Sequence, residues 1–219
     1  MLKIGHRGAK GYVAENTLAS FQKAIELKVD GIELDVHLSS DGEIMVIHDQ
    51  TIDRTTIGNG FVKDFTSYEL KQFGIPTLTQ VLDLLNHTFF VNIELKSNYS
   101  VEKVIILIEK YVSENNWDYN NFMISSFLWT NLEVVSHRNN QIKIGVLTED
   151  AIEKALAFAK EIKAFSINPY FKLLNVENVR LIHKEGFQIH TWTVNSSEDI
   201  TFVKSLNVEG IISDFPDKI

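Results

Sequence analysis

The sequence contains no cysteine. That removes a disulfide scaffold, a thiolate nucleophile and Cys-ligated zinc, so any metal must be held by oxygen or imidazole; it also fits a reducing compartment. Clustered basic charge is missing too: 21 Lys and Arg are scattered among 29 Asp and Glu, for a formal net charge of −8. Nucleic acid, which demands a concentrated basic patch, is therefore excluded as a partner. No apolar run approaches the roughly 20 residues of a membrane-spanning helix, the longest aliphatic run being Val104 to Ile108. The opening Met1-Leu2-Lys3-Ile4-Gly5-His6 turns polar too early for a signal peptide. A soluble, cytoplasmic protein without a transmembrane segment is expected, with its oligomeric state open.

What is present is an ordinary globular composition: 219 residues, 44% hydrophobic, 11% aromatic and 23% charged. Such a length allows one large domain or two small ones, and no linker divides this one. Short β-branched runs begin near residues 2, 31, 44, 89, 122, 142, 164, 187 and 209, with amphipathic stretches between most of them. Asn16 or Thr17 caps a helix bearing Leu18, Phe21, Ala24, Ile25 and Leu27; another covers Val101 to Val112, and a third starts at Ser197. A repeated βα unit implies a parallel sheet, and about eight such units fit a closed (β/α)8 TIM barrel better than an open doubly wound sheet.

Nine candidate strands compete for eight places. The odd pair is Gly31 to Leu38 and Ile44 to His48, whose connection leaves no room for a helix. If Asp41-Gly42 is a two-residue hairpin turn, Asp35 faces His48; if the strands run parallel, both residues still lie near strand C-terminal ends. Residues 49–77 form the one long excursion, with a short helical candidate at Tyr68 to Phe73. Excursions of this length in compact domains are usually functional or mobile.

Polar groups recur where the apolar strands stop: His6-Arg7, Glu33 and Asp35, His48-Asp49, and Glu94 and Lys96. In a parallel barrel these positions converge on one mouth, where catalysis sits. Glu33 and Asp35, like Glu94 and Lys96, are two residues apart and so share a face of their strand. Three carboxylates aimed into one space call for a cation, and oxygen donors favour a hard divalent ion, Mg2+ or Ca2+. The alternative is a metal-free salt bridge from Glu94 to Arg7 or Lys96. His37 shares the face of Glu33 and Asp35; its place near the turn makes it a solvated loop histidine rather than a further ligand. His6 and His48 are candidates for an acid/base pair. Arg7 and Lys96 are donors for an anionic oxygen, and with a divalent ion the site carries a net charge of about +1, suited to a singly charged anion. The four other histidines, among them His190, are expected to be structural.

Together the segments resemble the glycerophosphodiester phosphodiesterase family. The matching motifs are Gly5-His6-Arg7-Gly8, Glu15-Asn16-Thr17, Glu33-Leu34-Asp35-Val36 and His48-Asp49, followed by Asp53-Arg54-Thr55-Thr56 with Gly58 and Gly60. Ile75-Pro76-Thr77-Leu78, Asn92-Ile93-Glu94-Leu95-Lys96, Trp192-Thr193-Val194-Asn195 and Gly210-Ile211-Ile212-Ser213-Asp214 complete the set, in family order. Two departures, Ala14 where proline is usual and Ser213 where threonine is common, do not touch the chemistry. The resemblance implies one barrel domain over 1–219 with the 49–77 insertion roofing the site. It implies a metal held by Glu33, Asp35 and Glu94, His6 and His48 as acid and base, and Arg7 and Lys96 on the phosphate of a small-molecule glycerophosphodiester. Glu15 would line the site, unless it is an exposed acid at a helix start. Trp192 and Phe127 would face the alcohol moiety, unless they belong to the core. The expected reaction is hydrolysis to glycerol 3-phosphate and an alcohol. A non-catalytic phosphodiester sensor on the same barrel is the alternative, against which stands the complete set of histidines and carboxylates.

Overall fold

The computed structural model describes all 219 residues. Its strands are β1 (Leu2–His6), β2 (Gly31–Leu38), β3 (Ile44–Val46), β4 (Phe90–Leu95), β5 (Phe122–Ser126), β6 (Lys143–Thr148), β7 (Ser166–Pro169), β8 (Gln188–Thr191) and β9 (Gly210–Ser213). The helices are α1 (Leu18–Glu26), α2 (Ser67–Gln72), α3 (Leu78–Leu85), α4 (Val101–Glu114), α5 (Trp129–Arg138), α6 (Ile152–Ile162), α7 (Val176–Lys184) and α8 (Ser197–Ser205). All strands except β3 are parallel, and β1 pairs with both β9 and β2, which closes an eight-stranded barrel. The expected fold class holds. Seven helices flank the barrel; after β9 a 3-10 turn, Pro216–Lys218, stands where an eighth would be.

Local chemistry sets the helix boundaries. Thr17, not Asn16, caps α1 by accepting from the Ser20 N–H, while Thr66 and Thr77 form capping boxes with Glu69 and Gln80 at the starts of α2 and α3. The apolar stripes of the flanking helices join the outer face of the sheet in one cluster of 48 buried residues. No helix is long and apolar enough to cross a membrane.

β3 is the odd strand. It runs antiparallel to β2 and pairs with its C-terminal end, while β1 pairs with the N-terminal end, so β3 lies outside the closed barrel. The register expected for a two-residue turn is one residue off. Val36 faces Val46 and Leu38 faces Ile44, and the Ile47 N–H donates to the Asp35 carbonyl, so Asp35 lies opposite Ile47 rather than His48. The cause is a three-residue loop of Ser40, Asp41 and Gly42, closed by the Ser39 N–H on the Glu43 carbonyl. Gly42, at φ 80°, supplies the left-handed residue that such a loop requires. Met45 and Ile47 consequently join Ile52, Val62, Leu70 and Ile75 in a small second core, which gives the 49–77 excursion packing of its own.

Candidate active site

The site is assembled at the C-terminal mouth of the barrel. The Gly5-His6-Arg7-Gly8 segment leaves β1 in two consecutive left-handed residues, Arg7 at φ 51° and Gly8 at φ 88°. A side chain at Gly8 would meet the Ser20 backbone at 2.7 to 2.8 Å, so the tight return over α1 needs glycine there. The return aims the Arg7 N–H at Glu33 Oε2, 3.1 Å away, and sends the guanidinium back to Glu15 Oε1 at 2.7 Å and Asp35 Oδ2 at 3.1 Å.

β2 and β4 are in register with Asp35 beside Glu94 and Glu33 beside Asn92. Oxygens of Glu33, Asp35 and Glu94 lie within 4.8 Å of one another. Glu33 and Asp35 are buried; the Glu94 side chain keeps 12% of its exposure. Lys96 Nζ donates to Glu94 Oε1 at 2.6 Å and stands 3.4 Å from Asp35 Oδ1. The salt bridge weighed from sequence therefore exists, but it does not neutralise the cluster. Burial, reinforced by Asp35 and Glu94, pushes the Glu33 carboxyl well above the ordinary carboxylate range. Burial and the Asp35 charge push Glu94 up to about 7, against the opposing pull of Lys96. For Asp35 burial also acts upward, yet Arg7, Lys96 and His48 outweigh it and hold the group below its usual value. Asp35 Oδ1 is buried without a hydrogen-bond partner. Three clustered carboxylates, one with an oxygen that makes no hydrogen bond and two driven to keep their protons, fit a cation, and the all-oxygen donor set fits a hard divalent one.

Two histidines face this cluster in one cavity of about 110 Å³, whose wall also includes Arg7, Lys96, Phe127 and Trp192. His6 Nδ1 donates to Asp214 Oδ1 at 2.5 Å, and its Nε2 lies 3.9 Å from Glu33 Oε2. Asp214 is held in turn by Asn195, whose amide donates to Oδ2 while its carbonyl oxygen accepts the Asp214 N–H. His48 Nδ1 donates to Asp49 Oδ1 at 2.6 Å, and Asp49 is forked by Arg54, with Nε on Oδ2 at 2.6 Å and Nη2 on Oδ1 at 3.1 Å. An ionised carboxylate only accepts, so in both rings the proton sits on Nδ1 and Nε2 is left free. Burial holds both imidazoles below their ordinary value, which keeps them neutral near pH 7.

Of the remaining expectations, Glu15 is not among the side chains lining that cavity and reaches it only through Arg7. Bonded by Arg7 and twice by Arg54, it is held down to about 2 despite burial that acts the other way. Trp192 and Phe127 meet edge to face at 5.5 Å, with the indole N–H donating to the Asn168 carbonyl. His37 is corrected: it is buried on β2, with Nε2 on the His48 carbonyl at 3.1 Å, and is neither a solvated loop histidine nor part of the acidic cluster. His190 is buried with both ring nitrogens unpartnered, and burial draws it down to about 4.

Four residues take supporting places that the sequence pattern does not give them: Asp214 under His6, Asp49 under His48, Arg54 tying the excursion to Glu15, and Asn16, which at φ 54° donates to Asp35 Oδ2. A signal existed for Asp214, the first residue past β9, since the same position past β1 had singled out the His6-Arg7 corner.

The glycerophosphoryl diester phosphodiesterase family model matches residues 6–218. The chain belongs to that family. Within it, the chain is 39% identical to a glycerophosphodiester phosphodiesterase of Caldanaerobacter subterraneus, over 100% of this chain and 96% of that one. The solved structure of a glycerophosphodiester phosphodiesterase from Thermotoga maritima superposes with a TM-score of 0.85 at 28% identity, covering 99% of this chain and 96% of that one. The same fold recurs in an Oleispira antarctica phosphodiesterase crystallised with its product sn-glycerol-3-phosphate, with a TM-score of 0.88 at 24% identity and 99% and 94% coverage.

Proposed function

We propose that the chain hydrolyses glycerophosphodiesters to glycerol 3-phosphate and an alcohol, with a divalent ion and two histidines, in the cytoplasm. Family membership makes it a phosphoric diester hydrolase. The observation that carries the finer reading is the pair of imidazoles, each with Nδ1 tied to a carboxylate and Nε2 left for proton transfer, in one cavity with the acidic cluster. A phosphodiester binder would need donors for one negative charge. It would have no use for two neutral, oriented bases.

Glu33, Asp35 and Glu94 would hold Mg2+ or Ca2+. Bound there, the ion supplies Lewis-acid polarisation of a phosphoryl oxygen. Lys96 and the Arg7 guanidinium, both in the cavity wall, bind the non-bridging oxygens and orient the phosphorus. One histidine accepts a proton at Nε2 from the attacking water, or from the glycerol 2-hydroxyl, in which case water opens the resulting cyclic phosphate in a second step; the other, which takes up a proton from solvent beside the anionic phosphate, gives it from Nε2 to the departing alcohol. Asp214 and Asp49 fix the tautomer and stabilise whichever imidazolium forms. Glu15 keeps Arg7 aimed at the site, and Trp192 packs against the substrate's carbon skeleton. Residues 1–219 act as one domain, with the 49–77 insertion covering the site through the Arg54 contacts.

The deciding experiment is product analysis against a panel of glycerophosphodiesters, with and without chelator. Glycerol 3-phosphate is expected, ceasing on chelation and returning with Mg2+ or Ca2+. Full activity in chelator would remove the metal from the reading; no turnover of any diester would remove the reaction.

A further inference from the structure

A second cavity of about 400 Å³ shares no lining residue with the first but is lined by chain neighbours of its residues. Its walls are the end of β2, the start and middle of the excursion, and the loop after β4, and all but the middle of the excursion continue a residue of the site. His37 is two residues past Asp35 and bonds the His48 carbonyl; Gln50 is two past His48; Ser97 follows Lys96. In the circular strand order β4 and β8 are opposite one another, so this cavity lies across the mouth from Trp192. The catalytic cavity, at about 110 Å³, is smaller than the roughly 300 to 1,000 Å³ that a drug-sized ligand fills. A diester whose phosphorus sits at Arg7 and Lys96 must extend beyond it.

The lining states what can enter. Gln50 and the hydroxyls of Ser40, Ser97 and Tyr99 make no side-chain hydrogen bond within the chain and offer neutral donors and acceptors. Tyr99, 84% exposed, presents an open ring to a carbon face. The cavity has no carboxylate, and Lys63, which forms no ion pair, is its one permanent charge. Exposed aromatic rings ordinarily attract ammonium groups, but the Phe61 ring already has Lys63 Nζ at 5.5 Å from its centroid. A choline or ethanolamine head would meet a cation and no counter-charge, whereas hydroxyl groups would meet unpartnered amide and hydroxyl side chains.

We propose that this cavity is the subsite for the departing alcohol and that it takes an uncharged polyol head group in preference to an ammonium one. The inference rests on the diesterase reading of the catalytic site. It puts the glycerol carbons against Trp192 and Phe127 and the head group across the mouth, so that those aromatic residues do not face the departing alcohol.

The test compares kcat/KM on glycerophosphoglycerol, glycerophosphocholine and the methyl ester of glycerol phosphate, whose alcohol is too small to fill the subsite. The wild type is expected to favour the glycerol head over choline by at least about tenfold, and Lys63→Glu to cut that ratio by about tenfold. Gln50→Ala with Tyr99→Ala should lower the glycerol-head to methyl-ester ratio by at least about fivefold, mainly through KM. All three positions are exposed, and unchanged melting temperatures would establish that the variants fold. A wild-type preference for choline, or variants that leave both ratios unchanged while all three esters turn over, overturns the subsite and spares the diesterase reading. Failure of the wild type to cleave any of the three overturns both.

Discussion

Glu94→Gln should stabilise the metal-free protein and at the same time abolish its response to metal. Folded, the Glu94 carboxyl is pushed from the ordinary 4.5 up to about 7 by burial and Asp35. Between those values the unfolded chain has released this proton and the folded one has not, so stability falls as pH rises through the window. The destabilisation, complete above about pH 7, is on the order of 3 kcal/mol. Glutamine keeps an amide oxygen for Lys96, but Lys96 loses its nearest charge and retains only Asp35 at 3.4 Å, so a net gain on the order of 2 kcal/mol is expected, roughly 4 to 8 °C at this chain length.

The assay is thermal unfolding of wild type and variant in chelator at pH 5 and pH 8. His6 and His48 complicate either curve alone: lowered by burial, they contribute stability that is present above their unfolded value of roughly 6.5 and lost as pH falls. Both proteins share them, so the difference isolates Glu94. The two should melt close together at pH 5, near the foot of the window, and the variant should melt clearly higher at pH 8. Adding Mg2+ or Ca2+ should then raise the wild type, by about 2.7 kcal/mol at a hundredfold excess over Kd, and the variant far less. A variant that melts below the wild type in chelator at pH 8 would show that Lys96 makes the cluster net attractive, and the reasoning would fail; an equal metal response would remove Glu94 from the ligands.

His6→Ala and His48→Ala should each lower kcat by about 10² to 10⁴ with a smaller effect on KM; a nitrophenyl leaving group should rescue only the variant lacking the general acid, and rescue of both alike would refute the division of labour. Asp214→Asn, which takes the negative charge from under His6 Nδ1, should cost at least about tenfold in kcat, and steady-state kinetics showing a change in KM alone would assign Asp214 to substrate binding instead. Glycerol 3-phosphate should inhibit without releasing phosphate, and a 2-deoxy diester should turn over far more slowly than its parent under saturating metal; equal rates would exclude attack by the glycerol 2-hydroxyl.

The barrel was legible because each βα unit writes two periodicities in a row, and the mouth was legible because polar residues at the ends of apolar strands have no packing reason to be there. What escaped was decided by contacts far apart in sequence. Asn16 reads as a helix cap on local pattern, yet Asp35, 19 residues on, claims its amide and Thr17 caps α1. Asp214 and His6 are 208 residues apart and meet only because β9 closes on β1. His37 looked solvated because its turn is near, but β3 folds back and lays the His48 carbonyl on its ring. The hairpin register slipped for a local reason: Asp41-Gly42 looks like a complete two-residue turn, and Ser39 extends it to three by pairing with Glu43.

The charges of the site are arranged as a graded set rather than as pairs. Asp35 collects Arg7, Lys96 and Asn16 and stays ionised; Glu33 and Glu94, which lie near Asp35 with fewer cations, are left to keep their protons. Glu15 draws part of the Arg7 charge away from Asp35, and Arg54 steadies Glu15 from the excursion, so the position of residues 49–77 bears on the charge at the centre of the barrel mouth. A cation entering such a cluster must displace protons from Glu33 and Glu94 before all three carboxylates can bind it. Metal affinity would then be tied to pH through the same carboxyls that set stability, because the protons that relieve the cluster while it is empty are the ones an ion would have to displace.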